Sequence, residues 1–156
     1  MWLATEQGLY RYLIWIGTFG KGLDRFDPSS GAFRHYGHNA KDETELTNDT
    51  VTAILQDHQG ILWVGTHGGL SRLDSRTGKF IHYRHHANDS ASLSNNQVRA
   101  LYEDRQGALW IGTGSPYADD GGGPEEGGLN RMNKQTGTFT RYLYDPKDMP
   151  VVCKCY

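Results

Sequence analysis

The sequence predicts an all-β fold built from repeated four-stranded antiparallel sheets. Its composition includes 20 Gly, 9 Tyr and 4 Trp, and no long stretch of strong helix formers interrupts it. A five-residue motif occurs three times, as Ile-Trp-Ile-Gly-Thr at 14–18, Leu-Trp-Val-Gly-Thr at 62–66 and Leu-Trp-Ile-Gly-Thr at 109–113. The three tryptophans are 48 and 47 residues apart. A chain of 156 residues can bury the core of one domain, but it is short for most large closed β architectures.

The same series of elements surrounds each motif. Gly-Leu-x-Arg, Gly-x-Phe and a tyrosine follow it, and a short β-prone segment with an Asp-x-x-Gly turn precedes it in the second and third copies. A period near 47 residues fits propeller blades or helical HEAT-like repeats, and the short β-prone segments favour blades. We predict strands at 14–18, 22–27 and 33–36, at 51–57, 61–66, 70–74 and 80–84, and at 98–104, 108–113, 128–133 and 138–143.

The repeats divide the chain unevenly. Trp2 and Trp15 are only 13 residues apart, where about 47 are expected from the repeat. We therefore predict a truncated blade remnant at 1–12, an incomplete blade at 13–50, complete blades at 51–97 and 98–148, and a non-repeat tail at 149–156. Propellers use about 4–8 blades, so this is predicted to be an incomplete propeller and a piece of a longer one. Its end faces would pack against the remaining blades of a parent propeller or against a second copy.

Three residue types in each repeat are predicted to be structural. The tryptophan would fill the space between blades, and the glycine two positions later would leave room on the same face of the strand. The arginine of Gly-Leu-x-Arg suits stacking or carbonyl bonding better than anion binding. These residues are Trp15, Trp63, Trp110, Gly17, Gly65, Gly112, Arg25, Arg72 and Arg131. Asp57 and Asp104 are interpreted as turn residues and not as catalytic ones.

The combined motifs resemble the two-component regulator propeller repeat over about residues 13–148. The resemblance rests on Leu-Trp-Ile-Gly-Thr, Gly-Gly-Leu-x-Arg, Asp-x-x-Thr-Gly-x-Phe-x-x-Tyr and Ser-Leu-Ser-x-Asn-x-Val-x-x-Leu-x-Glu-Asp. It implies the periplasmic sensor region of a hybrid histidine kinase or of a diguanylate-cyclase protein. Such a region binds a ligand, often derived from a saccharide, and passes the signal across the membrane. The chain itself contains no kinase, receiver or cyclase segment.

One loop departs from the repeat and is our candidate ligand site. Twelve residues are inserted between the second and third strands of the third blade, at about 114–127. We expect this loop and the loop around 85–89 to emerge on the same face, where binding groups usually sit. The candidates are Tyr117 as an aromatic surface, Asp119, Asp120, Glu125 and Glu126 as acceptors, and His85 and His86. The alternative is a solvated, glycine-rich loop with no binding role.

The remaining chemical signals predict neither catalysis nor a metal or other cofactor. The densest histidine group, His82, His85 and His86 with Asp89, lies in a strand and loop that the repeat already explains. Cys153 and Cys155 lie in the terminal tail. We expect a protein that binds a saccharide or another small molecule, and the alternative is a propeller enzyme such as a lyase or glycosidase.

Charge and hydropathy argue against two other classes of partner. The 16 basic and 18 acidic residues are scattered and give a net charge of −2, which does not favour nucleic acid. No segment has the roughly 18 apolar residues of a membrane helix or the pattern of a signal peptide. We predict no direct membrane contact, and the compartment of this chain is left open.

Overall fold

The computed structural model describes residues 2–5, 8–11, 13–114 and 127–143, and these residues form strands joined by turns and loops, with no helix. For 2–5 and 8–11 only the backbone is described. The strands in these ranges are β1 (Trp2–Thr5), β2 (Gly8–Arg11), β3 (Ile14–Gly17), β4 (Leu23–Asp27), β5 (Ala32–Tyr36), β6 (Val51–Gln56), β7 (Leu62–Thr66), β8 (Gly69–Asp74), β9 (Lys79–Tyr83), β10 (Val98–Glu103), β11 (Leu109–Thr113), β12 (Gly128–Asn133) and β13 (Thr138–Leu143).

These strands form four antiparallel sheets in which neighbours in sequence are neighbours in space. Strands β6–β9 and β10–β13 make two four-stranded sheets, β3–β5 make a three-stranded sheet, and β1 pairs with β2. We call β3–β5 blade 1, β6–β9 blade 2 and β10–β13 blade 3. The predicted all-β, blade-type fold is confirmed, and each predicted strand end agrees with the observed one to within one residue.

The hydrophobic core lies between the blades. Strand β7 of blade 2 has all five residues buried, because blade 1 covers one of its faces and blade 3 covers the other. Leu62 and Val64 point into the first of these layers, with Leu23 of blade 1. Trp63 points into the second layer, with Met132 of blade 3. The alternation of side chains along the motif therefore assigns each residue to one interface.

The glycine of the motif allows close approach of the next blade. A Cβ atom on Gly65 would lie 2.5 Å from Val98 Cγ1, and one on Gly17 would lie 2.5 Å from Val51 Cγ1. Both valines begin the innermost strand of the following blade. Among the described residues, the third motif glycine, Gly112, has only Ala100 near it, at 3.5 Å. The steric need for glycine is therefore specific to a covered face.

The two end faces expose large apolar side chains. On blade 1 these include Ile14 and Phe33, with exposed fractions of 47% and 65%. On blade 3 they include Tyr102 and Tyr142, at 62% and 50%. Both faces correspond to faces that are buried between the other blades.

Candidate functional site

An aromatic stack crosses each interface between blades. Trp15 and Tyr36 pack within blade 1 at a centroid distance of 5.8 Å, and Tyr36 meets Phe80 of blade 2 edge-on at 5.6 Å. In the same way Tyr83 of blade 2 meets Phe139 of blade 3 at 5.9 Å. In the repeated Gly-x-Phe-x-x-Tyr, the phenylalanine thus faces the preceding blade and the tyrosine faces the following one.

The aspartate of each Asp-x-x-Gly turn also holds the tryptophan. Asp57 Oδ1 accepts the backbone N–H of Gln59 and Ile61, at 3.1 and 2.9 Å, which fixes the turn. Its Oδ2 accepts the indole N–H of Trp63 at 2.9 Å. Asp104 and Trp110 repeat this bond at 2.8 Å. The hydrogen bond from Trp110 is also the largest cause that lowers the pKa of Asp104.

The repeated arginine lies over the tryptophan ring. The guanidinium carbon of Arg72 is 6.0 Å from the Trp63 ring centroid, and that of Arg131 is 5.9 Å from Trp110. This is the stacking geometry of a cation–π contact. Each of these blades thus presents an indole bonded to a carboxylate and covered by a guanidinium.

A lysine joins blades 2 and 3 at the turn aspartate of blade 2. Lys134, in the turn between β12 and β13, donates to Asp57 Oδ2 at 2.8 Å and to Glu103 Oε1 at 2.7 Å. Glu103 also accepts the backbone N–H of His58 and contacts its ring Nδ1 at 2.7 Å. Burial alone would lower the pKa of Lys134, but the two carboxylates outweigh it and raise that pKa. Burial alone would raise the pKa of Asp57 and Glu103, but their hydrogen bonds lower it.

The interface between blades 1 and 2 has a cavity where this network would lie. Gln56 takes the place of Glu103, and Ser75 takes the place of Lys134. The cavity has a volume of about 460 Å³, which is within the usual range for ligand sites. Its polar and aromatic lining includes Trp15, Arg25, Arg34, Tyr36, Gln56 and Ser75, and no carboxylate of the described residues lines it.

The inserted loop leaves the ladder of blade 3 intact. Thr113 Oγ1 donates to the carbonyl of Gly128 at 3.2 Å, just as Thr66 Oγ1 donates to that of Gly69 at 3.0 Å. The insertion is therefore attached to a rigid pair of strands. Tyr117, Asp119, Asp120, Glu125 and Glu126 lie outside the described residues, so their role in ligand binding stays a prediction.

The two candidate histidines are tied to the loop that enters blade 3. His85 Nδ1 donates to the carbonyl of Leu93 at 2.7 Å, and its backbone N–H donates to Asn96 Oδ1. His38 makes the same ring contact with Leu46 O at 2.8 Å. His38 and His85 are 47 residues apart, so the period of the repeat could have predicted that their contacts are equivalent. The backbone N–H of His86 donates to Ser92 Oγ at 2.8 Å.

The described ranges bring no three His, Cys, Asp or Glu residues together in a way that could hold a metal ion. His82 contacts Ser71 Oγ at 3.2 Å instead. Cys153 and Cys155 lie outside the described residues. Across the described ranges, no helix is long and apolar enough to span a membrane.

Comparison with known proteins gives one family and one class of domain. Residues 45–68 and 92–115 match the two component regulator propeller family. The chain is similar to the extracellular domain of the one component system BT4673 from B. thetaiotaomicron, with 25% identity and a TM-score of 0.63, over 85% of this chain and 16% of that one. It also resembles the extracellular domain of the hybrid two component system BT3049 from the same organism, with 25% identity, a TM-score of 0.49 and coverage of 85% and 22%. No curated protein sequence matches the chain.

The chain thus spans between 16% and 22% of the length of these two extracellular domains. The two family matches each cover the end of an inter-blade loop, the innermost strand and the motif strand, and they fall 47 residues apart. Two successive blades of this chain thus each contain a segment that matches the two component regulator propeller repeat.

Proposed function

We propose that this chain is a three-blade segment of an extracellular sensor propeller that binds a small-molecule ligand and does not catalyse a reaction. The observation that carries the proposal is the likeness, at a TM-score of 0.63, to the extracellular domain of a one component system. The family match on two successive blades supports it.

The chemistry of three carboxylates beside the motif tryptophans favours binding over catalysis. Asp57, Glu103 and Asp104 have lowered pKa values because hydrogen bonds in turns and ion pairs stabilise their charged forms. A glycosidase of the common type needs two carboxylates across an open site, one of them with a raised pKa. These three carboxylates are instead engaged in holding turns and blades together.

The face that carries the inserted loop is our proposed ligand site. The loop at 114–127 is attached to a rigid hairpin, and the loop at 84–97 is fixed by Arg141, whose guanidinium donates to Asp89 O at 2.7 Å and to Leu93 O at 2.9 Å. Rigid support under variable loops is the usual arrangement of a binding surface. A saccharide or similar polar ring is the ligand class that Tyr117 and the acidic residues of the loop would suit.

Calorimetry on the complete chain tests binding against catalysis. The chain is titrated with a panel of neutral and acidic oligosaccharides, and each mixture is then assayed for cleaved products. We expect saturable heat from at least one compound and no product. Deletion of 115–126 should abolish that heat while the circular dichroism spectrum stays β-type. Release of product, or unchanged affinity after the deletion, would contradict the proposal.

The two end faces are proposed to pack against further blades, which a longer parent protein or a second copy would supply. Blade 3 already presents Trp110, Tyr142 and Arg131 in the arrangement that blade 2 uses at its covered face. Size-exclusion chromatography with light scattering should show concentration-dependent association, and Tyr142→Lys should weaken it. A chain that stays monomeric at every concentration tested would contradict the proposed packing of the end faces.

A further inference from the structure

Two arginines stand opposite each other on the side of blade 1 that faces blade 2. Arg25 in β4 pairs directly with Arg34 in β5, and Trp15 in β3 pairs with Arg25. The three side chains therefore form one row across the sheet. Side chains that are directly opposite in an antiparallel pair have Cβ atoms about 4.5–5.5 Å apart, and like charges at that spacing destabilise the sheet.

The second arginine of this row is specific to blade 1. In blade 2 Arg72 faces Ile81, and in blade 3 Arg131 faces Thr140. Each of those blades therefore has a single guanidinium in the row, and it lies over the tryptophan of the same blade. The repeat accounts for one arginine in each blade, and it does not account for Arg34.

Neither guanidinium of the row meets a carboxylate in the part of the chain that the structure describes. The ion pairs found there involve His35, His58 and Lys134 as cations, and neither Arg25 nor Arg34. The guanidinium carbon of Arg34 lies 4.9 Å from the ring centroid of Tyr36 instead. Two opposed cations that are not neutralised form a site that attracts an anion.

Both arginines line the cavity between blades 1 and 2. Gln56 stands where blade 3 has Glu103, and Ser75 stands where it has Lys134, so neutral side chains replace both members of that ion pair. Among the described residues that line the cavity, the two arginines carry the only charges. The lining therefore has a charge of two positive units, which fits an anionic ligand.

The other lining residues define the body of that ligand. Trp15, Ile61 and Leu73 are partly buried and give the cavity an apolar wall. The volume of about 460 Å³ is large enough for a small ring compound. An indole and aliphatic side chains favour contact with a flat apolar ring over contact with a ring that carries many hydroxyl groups. The cavity therefore suits a molecule with an apolar ring and one anionic group.

We propose that this cavity binds a small aromatic carboxylate, of which benzoate is the simplest. The carboxylate accepts hydrogen bonds from Arg25 and Arg34 and relieves their mutual repulsion, while the ring packs against Trp15 and Leu73. The planar fork of an arginine matches the two oxygens of a carboxylate. This site goes beyond the proposed function and does not rest on it, because it lies between blades 1 and 2 and not at the inserted loop of blade 3.

Nuclear magnetic resonance of the tryptophan indoles locates the ligand. The complete, isotope-labelled chain is titrated with benzoate, and Trp15→Phe assigns the indole N–H signal of Trp15. We expect that signal to shift in a saturable way. The signals of Trp63 and Trp110 are internal controls and should stay in place, because aspartates already accept their N–H groups at 2.9 and 2.8 Å. No saturable shift, or equal shifts of all three signals, would overturn the inference.

Two further compounds separate the charge from the ring. Benzamide keeps the ring without the charge, and glucuronate keeps the carboxylate on a hydroxylated ring. Both should bind at least about tenfold more weakly than benzoate. Equal affinity for either compound would overturn the assignment to an aromatic carboxylate. Deletion of 115–126 should leave the affinity for benzoate unchanged, so failure of this site and failure of the proposed loop site give different results, and a loss on deletion would contradict this site.

Variants of the row test the two arginines. Arg25→Gln should weaken benzoate binding by about tenfold, because a charged hydrogen bond is lost. Arg131→Gln is the matched control at the equivalent position of blade 3 and should leave the affinity unchanged. Gln56→Glu brings a carboxylate into the cavity, so it should weaken benzoate binding and raise the midpoint of thermal unfolding. Circular dichroism verifies that each variant folds. Equal effects of the two arginine variants, or unchanged affinity in Gln56→Glu, would overturn the inference.

Discussion

The two interfaces between blades share their apolar packing and differ at their polar edge. Each has an edge-on tyrosine–phenylalanine pair and a motif glycine against a valine of the next blade. Only the interface of blades 2 and 3 continues into an ion network, through Lys134, whereas that of blades 1 and 2 opens into a cavity. The apolar residues of the repeat thus suffice to stack two blades. Closing the edge additionally needs the turn aspartate of the preceding blade together with the glutamate and lysine of the following one.

The largest expected effect concerns the tryptophan that is covered on all sides. Trp63 is 0% exposed, whereas Trp15 and Trp110 are partly exposed. Trp63→Ala should lower the free energy of unfolding by about 3–5 kcal/mol, because it leaves a cavity in the core. Trp15→Ala and Trp110→Ala should each cost clearly less. Urea denaturation followed by circular dichroism measures all three, and equal losses would refute the distinction between covered and open faces.

The motif glycines sharpen the comparison between a covered and an open face. Gly65→Ala brings a Cβ atom to within 2.5 Å of Val98 Cγ1, and this overpacking should cost about 1–3 kcal/mol of stability. Gly112→Ala is the matched control and should change stability by less than about 0.5 kcal/mol. Adding Val98→Ala to Gly65→Ala should restore part of the loss, measured in the same urea titrations. No recovery would show that the clash is not with the valine.

Breaking the ion network of Lys134 should cost about as much stability as Gly65→Ala, or less, and this cost depends on pH. Lys134→Met leaves Asp57 and Glu103 without their shared cation and should cost about 1–2 kcal/mol near neutral pH. Because folding lowers the pKa of both carboxylates, their contribution is present above their unfolded pKa values and is lost as pH falls through the folded values. The cost of the variant should therefore be full near neutral pH and shrink as pH falls through these values, so that the acid limb of its stability profile is shallower, which urea titrations at several pH values would measure.

Ser75→Lys is the control for this prediction. It places a lysine at the equivalent turn of blade 2, where Gln56 replaces the glutamate and the described lining of the cavity has no carboxylate. It should not stabilise the chain. A stabilisation equal to the loss in Lys134→Met would mean that turn position, and not the facing carboxylates, determines the effect.

The smallest expected effect is at His82. Burial lowers the pKa of this histidine below its ordinary value of 6.5. The unfolded chain therefore binds a proton there more readily than the folded one does. The stability that the neutral His82 contributes to the folded state is fully present above pH 6.5. It is lost as pH falls from there through the folded pKa. His82→Gln should flatten the stability profile in that window, as thermal unfolding between pH 5 and 8 would reveal.

The strands of the repeat and the polar contacts between its parts differ in how far the sequence could predict them. The strands were predictable because tryptophan, glycine and phenylalanine recur at a fixed spacing that matches a single four-stranded unit. The bond between Asp57 and Lys134 was not predictable from the sequence, because these residues are 77 positions apart. In addition, only one of the three blades has a lysine at the position of Lys134. The loop contacts of His38 and His85 do repeat, yet they lie in polar segments whose composition indicates only a loop.

By itself the sequence determined the period, the strand order within each blade and the alternation of residues between the two faces of each sheet. These follow from local geometry, because successive side chains of a strand point to opposite faces and tight turns pair neighbouring strands. The tertiary structure alone decided which copy of a repeated residue is covered and which is open. That outcome depends on whether another blade stands beside the residue, so identical motif residues such as Gly65 and Gly112 meet different surroundings.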